Sequence, residues 1–145
     1  MSEYATPTAT RMNVWSPVTY FRVSAFLFAA VAILGFILNL TNNGRALDFG
    51  TNALLPFTYT HDTIHLVLAA AAFLFGFGNL NPSTVRTFAL IFGVAYLALG
   101  VIGFIVAEPL GGGSLALSLT LGLNVVHLLV GGYGLACGLM KPTSA

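Results

Sequence analysis

Four long apolar stretches without a charged residue recur along the chain. Each has about the 20 residues that a helix needs to cross the core of a bilayer. Transmembrane strands would instead alternate apolar and polar side chains, and these stretches are continuously apolar. The charge-free stretches cover residues 23–40, 63–80, 87–107 and about 121–140, and they predict four transmembrane helices at about residues 20–40, 62–80, 86–107 and 118–140.

The predicted fold class is all-α, a four-helix membrane domain over residues 16–145 that follows a polar tail at residues 1–15. Ser16 and Pro17 have the character of an N-cap and a first helical residue. The connection after the first span holds an amphipathic stretch, Leu47 to Tyr59, which we expect to lie on the bilayer surface. The positive-inside rule predicts cytoplasmic N and C termini, because four of the five basic residues share one side of the bundle. These four are Arg11, Arg22, Arg86 and Lys141, with Arg45 opposite.

Composition supports the membrane assignment and excludes several classes of protein. Hydrophobic residues form 57% of the 145-residue chain, charged residues form 6%, and the net charge is +1. A soluble domain carries about 25% charged residues, and a disordered chain is poor in apolar ones. The few scattered basic residues argue against nucleic acid as a partner. We expect a multi-pass protein whose first partner is the lipid bilayer, in a prokaryotic inner membrane or a photosynthetic membrane.

Two landmarks repeat between the halves of the chain and predict a duplicated helical hairpin. The segment Leu34 to Ile37 (LGFI) matches Ile102 to Ile105 (IGFI), and His65-Leu66-Val67 matches His127-Leu128-Leu129. In the same register Asp62 falls opposite Asn124. Two such hairpins would run parallel, related by an axis along the membrane normal. Small residues after each histidine indicate that spans two and four form the interior pair, with spans one and three facing lipid or a partner.

All three histidines fall near the outer ends of spans two and four. Ionisable groups at membrane depth are costly, so they face the protein interior and pair with other groups. His65 and His127 are candidate axial ligands of haem, chlorophyll or another pigment. His61, His65, His127 and Asp62 are candidate ligands of a metal ion. In the third interpretation the two histidines form interhelical hydrogen bonds, and Asp62 and Asn124 complete a structural polar cluster.

The chain resembles a family of small four-helix bacterial and archaeal membrane proteins that is known only as a domain of unknown function. The resemblance rests on a Gly-Phe-Ile signature at the end of span one and on two paired motifs. These are His61 to Leu66 (HDTIHL), which opens span two, and Asn124 to Gly131 (NVVHLLVG), which opens span four. It implies the four-helix fold and marks the histidines, Asp62 and Asn124 as positions to test. It implies no reaction.

The sequence favours a non-enzymatic role, since it contains no nucleophile beside a base and no charge at the midplane of a span. We expect a small accessory or structural subunit of a larger membrane complex, or a homo-oligomer. The alternatives are a pigment- or haem-binding protein that uses His65 and His127, and a metal-dependent membrane enzyme or sensor that uses all three histidines.

Overall fold

Four helices form the framework of the computed structural model, which describes residues 13–41, 45–48, 53–106 and 120–140. They are α1 (Pro17–Thr41), α2 (Tyr59–Phe77), α3 (Pro82–Val106) and α4 (Leu121–Leu139). Each is long and apolar enough to cross a membrane. The expectation of four transmembrane helices in a multi-pass protein is thereby confirmed. Most of the predicted polar tail, and the outer residues of spans three and four, lie outside the described residues.

Polar side chains and prolines define where the helices begin. The Ser16 hydroxyl oxygen accepts a hydrogen bond from the backbone N–H of Thr19 at 3.0 Å, and Pro17 is the first residue of α1. Thr58 caps α2 in the same way, since its side chain accepts from the N–H of His61. Side-chain acceptors at these positions satisfy N–H groups that have no partner within the helix. The predicted start of α1 at Ser16 and Pro17 is therefore confirmed.

The helices pack as two hairpins, with α1 along α2 and α3 along α4. The hairpins meet mainly through α1, which also contacts α3 and α4. The expectation that spans two and four are the closely packed interior pair is wrong. It relied on small residues in those spans, but the helices that approach them most closely are their neighbours in sequence.

Each helix buries one main stripe in which most successive members are three or four residues apart, the spacing that places side chains on one helical face. Small residues dominate these stripes, and they allow close approach of backbones in a solvent that provides no hydrophobic force between helices. In α1 the stripe includes Phe21, Ala25, Phe28, Ala32 and Gly35, and in α3 Ala89, Gly93, Tyr96, Gly100 and Gly103. In α2 it consists of His61, Asp62, His65, Ala69, Ala72 and Gly76, and in α4 it includes Leu123, Asn124, His127, Gly131, Gly134 and Gly138.

In each hairpin one arginine joins the two helices at the end opposite the histidines. The Nε–H of Arg22 donates to the carbonyl oxygen of Gly76 at 2.8 Å, and that of Arg86 donates to the carbonyl oxygen of Gly138 at 2.7 Å. Both acceptors lie in the last turn of their helix, where carbonyl groups lack an intrahelical partner and the helix dipole favours a cation. The arginines thus cap α2 and α4 from the neighbouring helix.

A short antiparallel β-hairpin connects α1 to α2, with strands β1 (Arg45–Asp48) and β2 (Ala53–Pro56). The hairpin contacts the ends of α1 and α4, and Phe57 behind it is 6% exposed and packs on the ring of His61. The stretch predicted to lie on the bilayer surface thus contains a paired β-hairpin, which the sequence pattern did not indicate, and its position relative to the bilayer stays a prediction. Phe57 is buried against the end of the bundle that holds the histidines.

The α3–α4 contact predicts opposite effects for two adjacent glycines. A Cβ atom on Gly131 would lie 2.5 Å from the backbone nitrogen of Leu97, whereas one on Gly132 would meet nothing within 4 Å. We expect Gly131→Ala to lower the free energy of unfolding by about 1–3 kcal/mol through overpacking. Gly132→Ala should be neutral or stabilising, because alanine favours helix.

Thermal or denaturant unfolding of both variants in one detergent measures the difference. Equal stability of Gly131→Ala and Gly132→Ala would contradict the close packing of α3 on α4.

Candidate functional site

Asp62 lies in the first turn of α2 and is fully buried. Its Oδ2 atom accepts a hydrogen bond of 2.7 Å from Nδ2 of Asn39 in α1. The same Asn39 amide donates to the carbonyl oxygen of Gly35 at 3.0 Å. The carboxyl group occupies the space that a Cβ atom on Gly35 would need, so only glycine at position 35 allows this approach. Asp62 is thus held against α1 by the hydrogen bond from Asn39 and by the space that Gly35 leaves free.

Asn124 occupies the corresponding place in the second hairpin. It is 2% exposed, and its amide fills the space that a Cβ atom on Gly103 of α3 would need. Thr120 precedes the first turn of α4 as Thr58 precedes that of α2. A short polar side chain is therefore seated on a glycine of the neighbouring helix in both hairpins.

His61 connects Asp62 to the other histidine of α2. Its Nδ1 atom lies 3.4 Å from Oδ1 of Asp62, and its ring centroid lies 4.2 Å from that of His65. The residue is 4% exposed. Among the described residues its Nε2 atom has no hydrogen-bond partner. Such a nitrogen is costly to bury in an apolar medium.

His65 bonds within its own helix, since its Nδ1–H donates to the carbonyl oxygen of His61 at 3.0 Å. This bond places the ring proton on Nδ1 and leaves Nε2 as an acceptor, the orientation in which a histidine can also present Nε2 to a metal. The expected hydrogen bond between His65 and His127 is replaced by a row of aromatic contacts. The rings of His65 and Phe28 meet edge to face at 5.7 Å, Phe28 stacks on Tyr96 at 5.5 Å, and Tyr96 meets His127 at 5.5 Å.

The three histidines line one cavity of about 250 Å³. It lies beside α2, α3 and α4, and its exposed wall consists of carbon atoms. The Nδ1 atom of His127 is buried and has no hydrogen-bond partner in the described part of the chain. Besides the histidines, the cavity is lined by Ile64, Leu68, Ile91, Phe92, Ala95, Tyr96 and Leu99.

These positions bear on the cofactor and metal interpretations. Within the described ranges, no group of three or more His, Cys, Asp or Glu side chains is arranged to hold a metal ion. His65 and His127 are linked through the stacked pair of Phe28 and Tyr96. The cavity beside them is smaller than the roughly 300–1,000 Å³ of typical ligand pockets. A haem or chlorophyll held by both imidazoles would require these rings to separate.

Sequence reasoning missed two residues that build the site. Asn39 looks like a helix-end residue in the sequence, yet it provides the donor to Asp62 across the α1–α2 contact. Phe28 is one of twelve phenylalanines, and only its place in the buried stripe of α1, four residues from Ser24 and Ala32, could have marked it. Comparison of the chain with protein-family models, curated proteins and solved structures finds no match.

The close contact of Asp62 with Gly35 predicts which substitutions of Asp62 the protein tolerates. Asp62→Asn retains an acceptor for Asn39 and has the shape that Asn124 already shows in the second hairpin. We expect it to change the free energy of unfolding by less than about 1 kcal/mol, because the hydrogen bond from Asn39 is retained. Asp62→Leu leaves the Asn39 amide without this buried partner and should cost about 1–3 kcal/mol.

Unfolding of the two variants in the same detergent, with Asn39→Leu as a third, measures these differences. If Asp62→Asn is as destabilising as Asp62→Leu, the carboxyl group has a role other than accepting this hydrogen bond.

Proposed function

We propose that the protein is a small non-enzymatic membrane protein that serves as an accessory or structural subunit of a larger membrane complex. The observation that carries the proposal is how its buried polar groups are used. Asp62 bonds to Asn39, His65 bonds to the His61 carbonyl, and the two arginines cap helix ends. The bonds of Asp62, Arg22 and Arg86 run between helices, and interhelical polar bonds of this kind hold membrane helices together.

An exposed aromatic cluster supports a protein partner in the bilayer. Phe26 of α1 and Phe73 and Phe77 of α2 are 61%, 49% and 48% exposed. Phe73 and Phe77 stack at 4.6 Å, and Phe26 contacts both at 5.9 and 6.0 Å. The guanidinium of Arg22 lies 5.3 Å from the Phe77 ring centroid. Aromatic residues are enriched in protein interfaces, and this preformed surface suits a transmembrane helix of a larger protein.

The proposal includes a duplicated hairpin, in which α1 and α2 correspond to α3 and α4. The buried stripes support it, because the members named for α1 recur in α3 at one constant offset and those of α2 recur in α4 at another. The contacts also correspond: Asp62 on Gly35 matches Asn124 on Gly103, and the Phe28–His65 pair matches Tyr96–His127. Membership in the small four-helix family of unknown function is proposed on the same motifs.

The orientation and the location belong to the same proposal. The start of α1 lies beside α4, where the Tyr133 hydroxyl donates to the carbonyl oxygen of Val14 at 2.6 Å. Arg22 and Arg86 lie at this end of the bundle. By the positive-inside rule this end faces the cytoplasm, in a prokaryotic inner membrane or a photosynthetic membrane.

Extraction of the protein from its native membrane in a mild detergent tests the accessory role. We expect a larger integral membrane protein to co-purify in fixed stoichiometry. The triple variant Phe26→Leu/Phe73→Leu/Phe77→Leu should lose this partner, because leucine remains compatible with lipid but removes the aromatic surface. Phe104→Leu is the matched control, since Phe104 is 44% exposed outside this cluster.

Recovery of the wild-type protein only as a monomer or a homo-oligomer would contradict the accessory role. Equal loss of the partner in the control would contradict the aromatic cluster as the contact. An absorption spectrum of the same sample separates the pigment alternative, since a Soret band that disappears in His65→Ala and His127→Ala would establish a haem protein.

A further inference from the structure

The cavity beside the histidines is lined by polar side chains whose presence helix packing does not explain. The chain has only three histidines, and all three line this one cavity. Two of them, His61 and His127, carry buried ring nitrogens without a hydrogen-bond partner among the described residues. Packing alone would be served better by apolar side chains at both positions.

We propose that this cavity binds the ring of a neutral, lipid-soluble quinone, whose carbonyl oxygens accept hydrogen bonds from His61 and His127. The proposal is independent of the accessory role, because a subunit with or without a protein partner can hold such a ligand.

The size and the walls of the cavity fit a small ring system. A cavity of about 150 Å³ holds benzene, so the 250 Å³ here is enough for one or two fused rings. The exposed wall is carbon, and Phe92 and Tyr96 contribute aromatic side chains to it. Aromatic side chains stack on flat rings in offset or edge-to-face arrangements. The cavity therefore favours a flat apolar ring over a flexible polar ligand.

Access to the cavity is from the lipid side. Ile64 of α2 and Ile91 of α3 line it and are 39% and 53% exposed, and Ala95 is exposed beside them. These residues lie within helices that cross the membrane. A ligand that enters between α2 and α3 can leave an apolar tail in the bilayer, as the tail of a lipid-soluble quinone requires.

The absence of charged side chains from the lining favours a neutral ligand. No Lys, Arg, Asp or Glu is among the residues that line the cavity. An ionised ligand would therefore enter an apolar medium without an opposite charge. A carbonyl oxygen is neutral and accepts hydrogen bonds, so it complements an imidazole N–H. For His61 the ring proton is then on Nε2, and Nδ1 accepts from a protonated Asp62 carboxyl group. The unpartnered nitrogens of His61 and His127 are buried and do not face the cavity in the structure, so the proposal includes a rotation of each ring about χ2, a broad torsion for histidine, that brings an N–H toward the ligand.

Titration of the full-length protein in nanodiscs with 2-methyl-1,4-naphthoquinone tests the proposal. Histidine-selective ¹⁵N NMR reports on the ring nitrogens directly. We expect saturable shifts of the His61 and His127 rings. The analogue 2-methylnaphthalene lacks both carbonyl oxygens and should bind at least about tenfold more weakly, since the loss of even one hydrogen bond to a buried group provides that factor.

Two alanine variants on α3 provide a matched pair. Ala95 is exposed and lines the cavity, so Ala95→Phe fills it from the lipid side and should abolish saturable binding. Ala98 is exposed on the same helix and does not line the cavity, so Ala98→Phe should bind as the wild type does.

Three results would overturn the proposal. The first is a linear, unsaturable response, which indicates partition into the bilayer only. The second is equal affinity for the quinone and 2-methylnaphthalene, which indicates an apolar void without a role for the histidines. The third is unchanged binding in Ala95→Phe, which places the ligand elsewhere.

Discussion

The close approach of helix backbones at glycine and alanine is the constraint on which the rest of the structure depends. Lipid provides no hydrophobic force between helices, so association requires packing and hydrogen bonds at short range. Gly93 and Gly131 lie where a Cβ atom would meet the backbone of the facing helix, and Gly35 and Gly103 lie under polar side chains. Without these glycines Asp62 and Asn124 could not reach the helices on which they rest.

The hydrogen bonds of the buried polar groups depend on this close approach of the helix backbones. Asn39 bonds to Asp62 because α1 and α2 are close at the end that holds the histidines, and Arg22 reaches the Gly76 carbonyl because the same helices are close at the other end. In a membrane an unpaired polar group is especially costly, so each such bond also defines the register of one helix against the other. The histidines differ, since the unpaired nitrogens of His61 and His127 are an exception among the described residues of the site.

The sequence allowed the helices and the polar positions to be predicted, but not their partners. Charge-free apolar stretches predicted four helices because bilayer thickness sets helix length. The choice of α2 and α4 as the interior pair was wrong, because small residues show which faces can approach but not which helices do. Asn39 and Phe28 escaped notice for a related reason. An asparagine near a helix end and one phenylalanine among many have no local pattern that shows a contact with another helix.

The sequence by itself therefore determined the membrane environment, the number of helices and the few positions that carry polar side chains, since these follow from local composition and length. Tertiary structure decided what those positions contact. It seated Asp62 on Gly35, gave His65 a bond within its own helix, and brought all three histidines to the wall of one cavity. The physical reason is that helix pairing depends on the fit of whole buried stripes. Many pairings of apolar helices satisfy the same local pattern, and the close contacts among all four helices select one of these pairings.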